Sequence, residues 1–308
     1  MGFETPEEKE KTILLPEENT LSLNIKDSEN PVESGEFTSG LLENQEKPAA
    51  IVKKLEYFLK AQFGKIEVNG QENLDLIPRD RRVIFASTHL SNFDVPISIY
   101  SVGQHFRLLI GDASTHSKFS ENPTGYIGNR LAGKENFVPI KHKKDEKGVE
   151  RGRFNPEDLE NLKTAFEEKK ALMMSVYYSG EEKNNLPDKG GYGAVYLAEI
   201  ADALIVPVAV DIKSKEKTEM QKNVVKAILS FPDVQVNIGK PIELPKIEGI
   251  EGLKEIWEKR KTDKLSKEET EEFHSLSQQL REQSDLVMKK LAELLPKEKR
   301  GKWADAED

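Results

Sequence analysis

The chain has 308 residues, ample for one sizeable α/β core plus appended segments, and 33% are charged while 7% are aromatic, so part of the chain is expected to be unpacked. It contains no cysteine, which excludes disulfides, thiolate metal sites and a cysteine nucleophile and suits a reducing compartment. The net charge of −9 argues against a general nucleic-acid binder.

The N-terminal segment, residues 1–47, is rich in Glu, Lys, Asn, Ser and Pro and has few large apolar residues. Such a segment cannot bury enough surface to offset the entropy lost on ordering, so we predict a disordered arm. Its acidic, polar start is unlike a secretory signal. No apolar run approaches the ~20 residues that a spanning helix needs. We therefore expect a cytoplasmic protein, with any membrane contact peripheral and on the inner face.

A folded domain is predicted over residues 48–245, and it opens with a helix at 49–63. The apolar residues of this helix recur on one face, opposite lysines, as in an amphipathic helix. The apolar face could cover a sheet or lie in a membrane interface with the lysines near anionic headgroups. We favour the sheet, because any covering helix shows such a stripe. The stripe consists of Ile51, Val52, Leu55, Phe58, Leu59 and Phe63.

Strand-like and helix-like patterns then alternate along the chain, which predicts an α/β fold with a mixed, largely parallel sheet covered by helices. Strands are expected at 66–68, 83–86, 171–178, 204–210, 224–231 and 234–238, and helices after Ser91, after Asn155 and over 190–201. The residues of the Asn155 helix expected to point inward are Leu159, Leu162 and Phe166. Residues 246–308 form a charged tail whose helical period over 252–296 predicts helices packed on the core or standing off it.

The candidate catalytic site is the stretch Thr88-His89-Leu90-Ser91-Asn92-Phe93-Asp94, directly after the apolar strand at 83–86. The end of a buried strand beside a helix N-terminus is where α/β folds usually place chemistry. A neutral imidazole can take a proton from a hydroxyl, and a carboxylate can fix its tautomer and stabilise the cation. A polar turn capped by Ser91 or Asp94 would have the same spacing, so the motif depends on its context.

Several further segments accompany this stretch in a fixed order. Before it come a strand with Gly70-Gln71-Glu72-Asn73 and the strand Val83-Ile84-Phe85-Ala86, and after it Asp188-Lys189-Gly190-Gly191, a helical pattern, Ile205-Val206-Pro207-Val208 and Gly239-Lys240-Pro241-Ile242. Together with His89, Ser91 and Asp94, this order closely resembles the glycerophospholipid acyltransferase family, which includes bacterial enzymes that acylate lysophosphatidic acid. The resemblance covers roughly residues 50–245.

The resemblance implies transfer of a fatty acyl group from acyl-CoA or acyl carrier protein to a hydroxyl of a glycerolipid or lipid-like acceptor. His89 would be the general base, Asp94 would orient and polarise it, and Ser91 and Asn92 would contact substrate. No metal or other cofactor is implied. A metal-dependent hydrolase is a weaker alternative, because the histidines show no ligand spacing such as HExxH.

The second block of the family, a short strand followed by an arginine, is matched only in part. The strand corresponds to Phe137-Val138-Pro139-Ile140, and Lys141, His142 and Lys143 stand where the arginine is expected. We interpret these three residues as contacts for a phosphate of the acceptor or of CoA. An ordinary solvated loop would have the same composition.

The third block, Phe-Pro-Glu-Gly-Thr-Arg-Ser in the family, departs further. The equivalent here is Tyr177-Tyr178-Ser179-Gly180-Glu181-Glu182-Lys183. Glu182 replaces an arginine thought to hold the acceptor's phosphate, and an acid would repel phosphate. Either the acceptor lacks a phosphate there, with Lys183 or Lys189 compensating beside Ser179 and Gly180, or a catalytically silent lipid- or acyl-binding protein remains. The intact His89 and Asp94 favour the first interpretation.

Overall fold

The computed structural model describes residues 50–91, 93–103, 105–106, 109–112, 137–139, 143–144, 150–151, 162–164, 166–167, 171–177, 185–213 and 232–305. The predicted arm at 1–47, the predicted strand at 224–231 and the predicted helix start at Asn155, with Leu159, lie outside these residues.

The described residues form both helices and strands. The helices are α1 (Ala50–Gln62), α2 (Asp94–Val102), α3 (Gly193–Ala201), α4 (Leu253–Thr262) and α5 (Lys267–Glu293). The strands are β1 (Ile66–Asn69), β2 (Arg82–Ser87), β3 (Leu109–Asp112), β4 (Phe137–Pro139), β5 (Lys143–Lys144), β6 (Glu150–Arg151), β7 (Ala171–Ser175), β8 (Ala203–Lys213) and β9 (Asp233–Ile238). Short 3₁₀ segments occupy Gln71–Leu76, Ile250–Gly252, Lys297–Lys299 and Gly301–Asp305.

Within the described part of the chain, seven strands form one sheet in the order β1-β9-β8-β2-β7-β3-β4. Strand β2 pairs in parallel with β7 and with β8, and β3 pairs in parallel with β7 and β4. Only the β8–β9 pair of this sheet is antiparallel, and β1 runs parallel to β9. The predicted α/β fold with a mixed, largely parallel sheet is therefore confirmed.

Strand β2 shows why the central strands are apolar throughout. Ile84 and Ala86 face one layer of helices, Val83 and Phe85 face the other, and all four are at most 1% exposed. Successive side chains of a strand point to opposite faces, so a strand covered on both faces must be continuously apolar. Helices α1 and α2 cover the Phe85 face, whereas α3 and α5 cover the Ile84 face.

Helix α1 packs its apolar stripe on the sheet. Leu55, Leu59 and Phe63 are almost fully buried, and the Phe63 ring meets the edge of Phe93 at a centroid distance of 5.2 Å. Burial of each such side chain contributes roughly 1.5–3 kcal/mol. The same three side chains share one hydrophobic cluster with sheet residues such as Phe85 and Val236, which confirms that the stripe covers the sheet. The opposite face of α1 is exposed, with Tyr57 at 79% exposure beside Lys53.

The C-terminal helix α5 belongs to the same core as α3. It begins with a capping box in which the Ser266 hydroxyl accepts the Glu269 N–H at 3.1 Å and the Glu269 carboxylate accepts the Ser266 N–H at 2.8 Å. Its buried stripe joins the hydrophobic cluster that contains α3, and includes Leu276, Leu280, Val287 and Leu291. Of the two placements open for the helical tail, packing on the core is therefore the correct one. None of the helices in the described part of the chain combines the length and the hydropathy that a membrane-spanning helix requires.

Helix α5 also holds the loop that precedes α3. Arg281 donates to the Gly190 carbonyl at 2.9 Å, and its guanidinium lies 4.4 Å from the centroid of the Tyr192 ring. The Ser284 hydroxyl donates to the Gly191 carbonyl at 3.1 Å. A Cβ at Gly190 would collide with Ser284 and lie 2.8 Å from Met288 Cγ. Only glycine therefore allows the backbone at residue 190 to approach α5 this closely.

Replacement of Gly190 by alanine should therefore destabilise the fold by about 1–3 kcal/mol, because the methyl group overpacks the contact with α5. The matched control is Gly252→Ala, since a Cβ there meets only Glu272, at 3.9 Å, and the backbone φ is −71°. The control should change the free energy of unfolding by no more than about 1 kcal/mol. Urea denaturation measures both variants, and equal stability of Gly190→Ala and the unmodified protein would contradict the packing described.

Candidate active site

The stretch from Thr88 to Asp94 lies at the carboxyl end of β2. Both neighbours of β2 run parallel to it, so this end is flanked by the continuing chain of β7 and of β8. The Thr88 N–H donates to the Val208 carbonyl at 3.0 Å, and the Val210 N–H donates to the Thr88 hydroxyl at 3.0 Å. These bonds fix Thr88 on β8 before the chain turns toward α2.

Asp94 is the first residue of α2, and its carboxylate accepts hydrogen bonds from three groups of the turn. The Thr88 hydroxyl donates to one carboxylate oxygen at 3.1 Å and the Leu90 N–H donates to the same oxygen at 2.8 Å. The Ser91 hydroxyl donates to the other oxygen. Asp94 is only 1% exposed. A buried carboxylate with three donors at a helix N-terminus fixes the backbone that carries His89.

Burial raises the pKa of Asp94 above its ordinary value. The hydrogen bonds from Ser91, Leu90 and Thr88 and the charge of His89 lower this pKa, and burial outweighs them. The interaction with His89 is mutual, so a positive imidazolium favours the ionised form of Asp94.

The His89 imidazole is half-buried and turns back on its own loop. Its Nδ1 lies 3.2 Å from the Ser91 carbonyl oxygen, a hydrogen bond when Nδ1 carries the proton. That tautomer leaves the lone pair on Nε2, the atom that can act as a base. Among the described residues, the hydrogen bonds of the Asp94 carboxylate go to Thr88, Leu90 and Ser91, and the imidazole is not one of its donors.

The geometry has features of both interpretations of the motif, the capped polar turn and the pairing of His89 with Asp94. Ser91 belongs to a polar turn, since its hydroxyl accepts the Phe93 N–H at 3.2 Å. The same turn supplies the carbonyl that His89 contacts. Asp94 is thus linked to His89 through the loop and through its charge, and among the described residues no hydrogen bond joins its carboxylate to the imidazole.

Tyr177 adjoins the candidate site, although no role was predicted for it beyond its place in the third block. It follows β7, which ends at Ser175 rather than at the predicted residue 178. Its hydroxyl oxygen accepts the His89 N–H at 2.7 Å. Burial and the negative charge of Asp94 raise the pKa of the Tyr177 phenol well above its ordinary value, which keeps it protonated. The one indication of this contact in the sequence is that tyrosine stands where the family that the sequence resembles has phenylalanine.

The structure brings His89, Ser91 and Asp94 together, while most other predicted site residues lie outside the described part of the chain. Those outside are Asn92, Lys141, His142, Ser179, Gly180 and Lys183. Lys143 is described only as backbone of β5, and Lys189 is exposed on the loop held by α5. Among the residues that the structure describes, no group of three or more His, Asp or Glu side chains is placed to hold a metal ion.

No protein-family model matches this chain, and no curated protein matches it either. The crystal structure of the 1-acyl-sn-glycerophosphate (LPA) acyltransferase PlsC from Thermotoga maritima is similar at a TM-score of 0.41 and 14% identity, over 77% of this chain and 78% of that chain. A likeness at this level leaves the function of this chain to be argued from its own site.

The raised pKa of Asp94 gives stability a defined pH dependence. A folded-state pKa above the ordinary 3.8 means that the folded state keeps the proton to higher pH than the unfolded chain does. The stability of the unmodified protein relative to Asp94→Asn should therefore fall as pH rises through the folded-state pKa. Urea denaturation of both proteins between about pH 4.5 and pH 8 measures this difference, in which carboxyl groups common to both cancel. A relative stability that increases with pH would show that the hydrogen bonds to Asp94 outweigh its burial.

Proposed function

We propose that the chain is an acyltransferase that moves a fatty acyl group from acyl-CoA or acyl carrier protein to a hydroxyl of a glycerolipid or lipid-like acceptor. The observation that carries the proposal is the imidazole of His89 at the carboxyl end of β2, bound through Nδ1 to the Ser91 carbonyl at 3.2 Å. The reaction class comes from the segments around His89, whose sequences and order along the chain resemble those of the glycerophospholipid acyltransferases.

In the proposed reaction, Nε2 of His89 accepts the proton of the acceptor hydroxyl as the oxygen attacks the thioester carbonyl. The tetrahedral intermediate collapses, the carbon–sulfur bond breaks, and the leaving thiolate takes the proton back from the imidazolium. The products are an ester and a free thiol, and His89 returns to its neutral form. No step requires a group beyond the two substrates and the imidazole.

Asp94 supports this cycle in two ways. Its bonds to Leu90 and Ser91 keep the loop that carries His89 in one conformation. Its charge interacts favourably with a protonated His89, so the carboxylate is most readily ionised when the imidazolium forms. Positioning and charge stabilisation of this kind are worth more in a buried site than in water.

The substrate contacts belong to the proposal as well. Lys189 precedes Gly190 and Gly191, and the Gly191 N–H donates to the Val176 carbonyl at 2.6 Å, next to Tyr177. Lys189 therefore lies on a loop tied to the same strand end as His89, which suits a contact with an anionic group of the donor or acceptor. The other proposed contacts are Ser91, Asn92, Lys141, His142, Lys143, Ser179, Gly180 and Lys183.

The main test is thiol release from acyl-CoA and from acyl carrier protein, with and without lipid alcohols. Release should depend on an acceptor and should fall by about 10²–10⁴-fold in His89→Ala, the usual contribution of a general base. Asp94→Asn should lower it as well. The control is His274→Ala, which removes an exposed histidine of α5 and should leave the rate unchanged.

Unchanged turnover in both His89→Ala and Asp94→Asn would overturn the proposal. The alternative of a catalytically silent lipid- or acyl-binding protein, motivated by Ser179 and Glu182, predicts another result. The protein would bind acyl chains or vesicles without acceptor-dependent thiol release, and His89→Ala would bind equally well.

We extend the proposal to peripheral contact with an anionic membrane through the outward face of α1. That face carries exposed Lys53 and Lys54 one helical turn before Tyr57, and the amphipathic ring of Tyr57 is suited to the headgroup region. The protein should co-sediment with vesicles that contain an anionic lipid, and Lys53→Glu combined with Lys54→Glu should weaken this binding at least several-fold. Absence of binding by the unmodified protein at low ionic strength would reject this extension.

A further inference from the structure

The contact between Tyr177 and His89 joins two strand ends that are far apart in sequence. Ser87 of β2 is in register with Ser175 of β7, and His89 and Tyr177 each lie two residues beyond these partners. The Tyr177 hydroxyl oxygen accepts the His89 N–H at 2.7 Å, and the tyrosine is 7% exposed. The hydroxyl thus bridges the two strands immediately beyond the end of their ladder.

This bond meets a requirement of the backbone. The Thr88 N–H still reaches β8, but the β2–β7 pairing ends at Ser87 and Ser175, so the His89 N–H needs another acceptor. An N–H withdrawn from water without an acceptor is costly, and a phenyl ring offers no oxygen to accept it. The phenol fixes the backbone position from which the imidazole of His89 projects.

Hydrogen bonds also hold the backbone around Tyr177 in place. The Ser175 hydroxyl donates to the Tyr177 carbonyl at 2.7 Å, and the neighbouring Val176 carbonyl accepts the Gly191 N–H at 2.6 Å. Gly191 in turn accepts the hydroxyl of Ser284 on α5 at 3.1 Å. A line of hydrogen bonds therefore runs from the C-terminal helix to the backbone of His89.

We propose that Tyr177 is a positioning residue for His89, and that its hydroxyl group, rather than its ring, is the part on which catalysis depends. The catalytic part of this inference rests on the proposed acyl transfer, whereas the structural part does not. The family that the sequence resembles has phenylalanine at the corresponding place. The hydroxyl is accordingly a feature in which this chain differs from that pattern, and Tyr177→Phe removes that feature alone.

Two readouts test the role, and one of them needs no activity. In Tyr177→Phe, the amide hydrogen of His89 should exchange with solvent about tenfold faster or more, since its acceptor is gone. The kcat for acyl transfer should fall about tenfold while KM stays within about twofold, because the hydroxyl positions the base and does not touch substrate. The control is Tyr100→Phe, which removes a hydroxyl from a half-buried tyrosine of α2 and should alter neither quantity.

Unchanged exchange at His89 in Tyr177→Phe would overturn the inference, as would faster exchange with an unaltered kcat. If the unmodified protein shows no turnover, the proposed function fails, and the exchange measurement still decides whether the hydroxyl holds His89. A melting temperature close to that of the unmodified protein shows that any effect is local. If it falls sharply, Ser175→Ala, which loses the two bonds between the Ser175 hydroxyl and the Tyr177 carbonyl and N–H, should shift exchange and kcat in the same direction by a smaller factor.

Discussion

The buried carboxylate of Asp94 is the interaction on which the rest of the site depends. It receives donors from Thr88, Leu90 and Ser91, so it joins the end of β2 to the beginning of α2. Without it, two hydroxyls and one backbone N–H in a water-poor turn would lose their acceptor, at a cost of about 1–3 kcal/mol for each buried group. The position of the His89 imidazole follows from this closure, because its Nδ1 contacts a carbonyl of the same turn.

The fold supports this turn from both directions. Strand β8 holds Thr88 through Val208 and Val210, and the next residue of that strand, Asp211, forms a buried ion pair with Lys299 near the C-terminus. Because breaking a buried ion pair leaves an uncompensated charge, this pair anchors the segment around Lys299 to β8, next to the residues that hold Thr88. Helix α5 supplies the second support, through Ser284 and the glycine loop before α3. Helix α5 is therefore part of the structure that supports the candidate site.

Much of the fold and of the candidate site could be predicted from short segments of the sequence. The apolar run at 83–86 predicted a buried strand, and the polar residues after it predicted the candidate site, because both predictions depend on local pattern. The partners of Asp94 depend instead on the path of one turn, which spacing alone does not determine. Tyr177 could not be assigned a partner because its contact with His89 requires the register of two strands separated by 88 positions. The amphipathic period of α5 predicted a helix, but its place in the core depends on contacts with Gly190 and α3.

The strength of the tie between Thr88 and Asp94 can be measured by a double-mutant cycle of stability, with Thr88→Val, Asp94→Ala and the double variant. Valine keeps the shape of threonine and removes the hydroxyl that donates to Asp94 at 3.1 Å. If the carboxylate closes the turn as described, the two substitutions should be non-additive, with a coupling of about 1 kcal/mol or more. Effects that add to within about 0.3–0.5 kcal/mol would contradict the account, because Asp94 would then not hold the strand end beside His89.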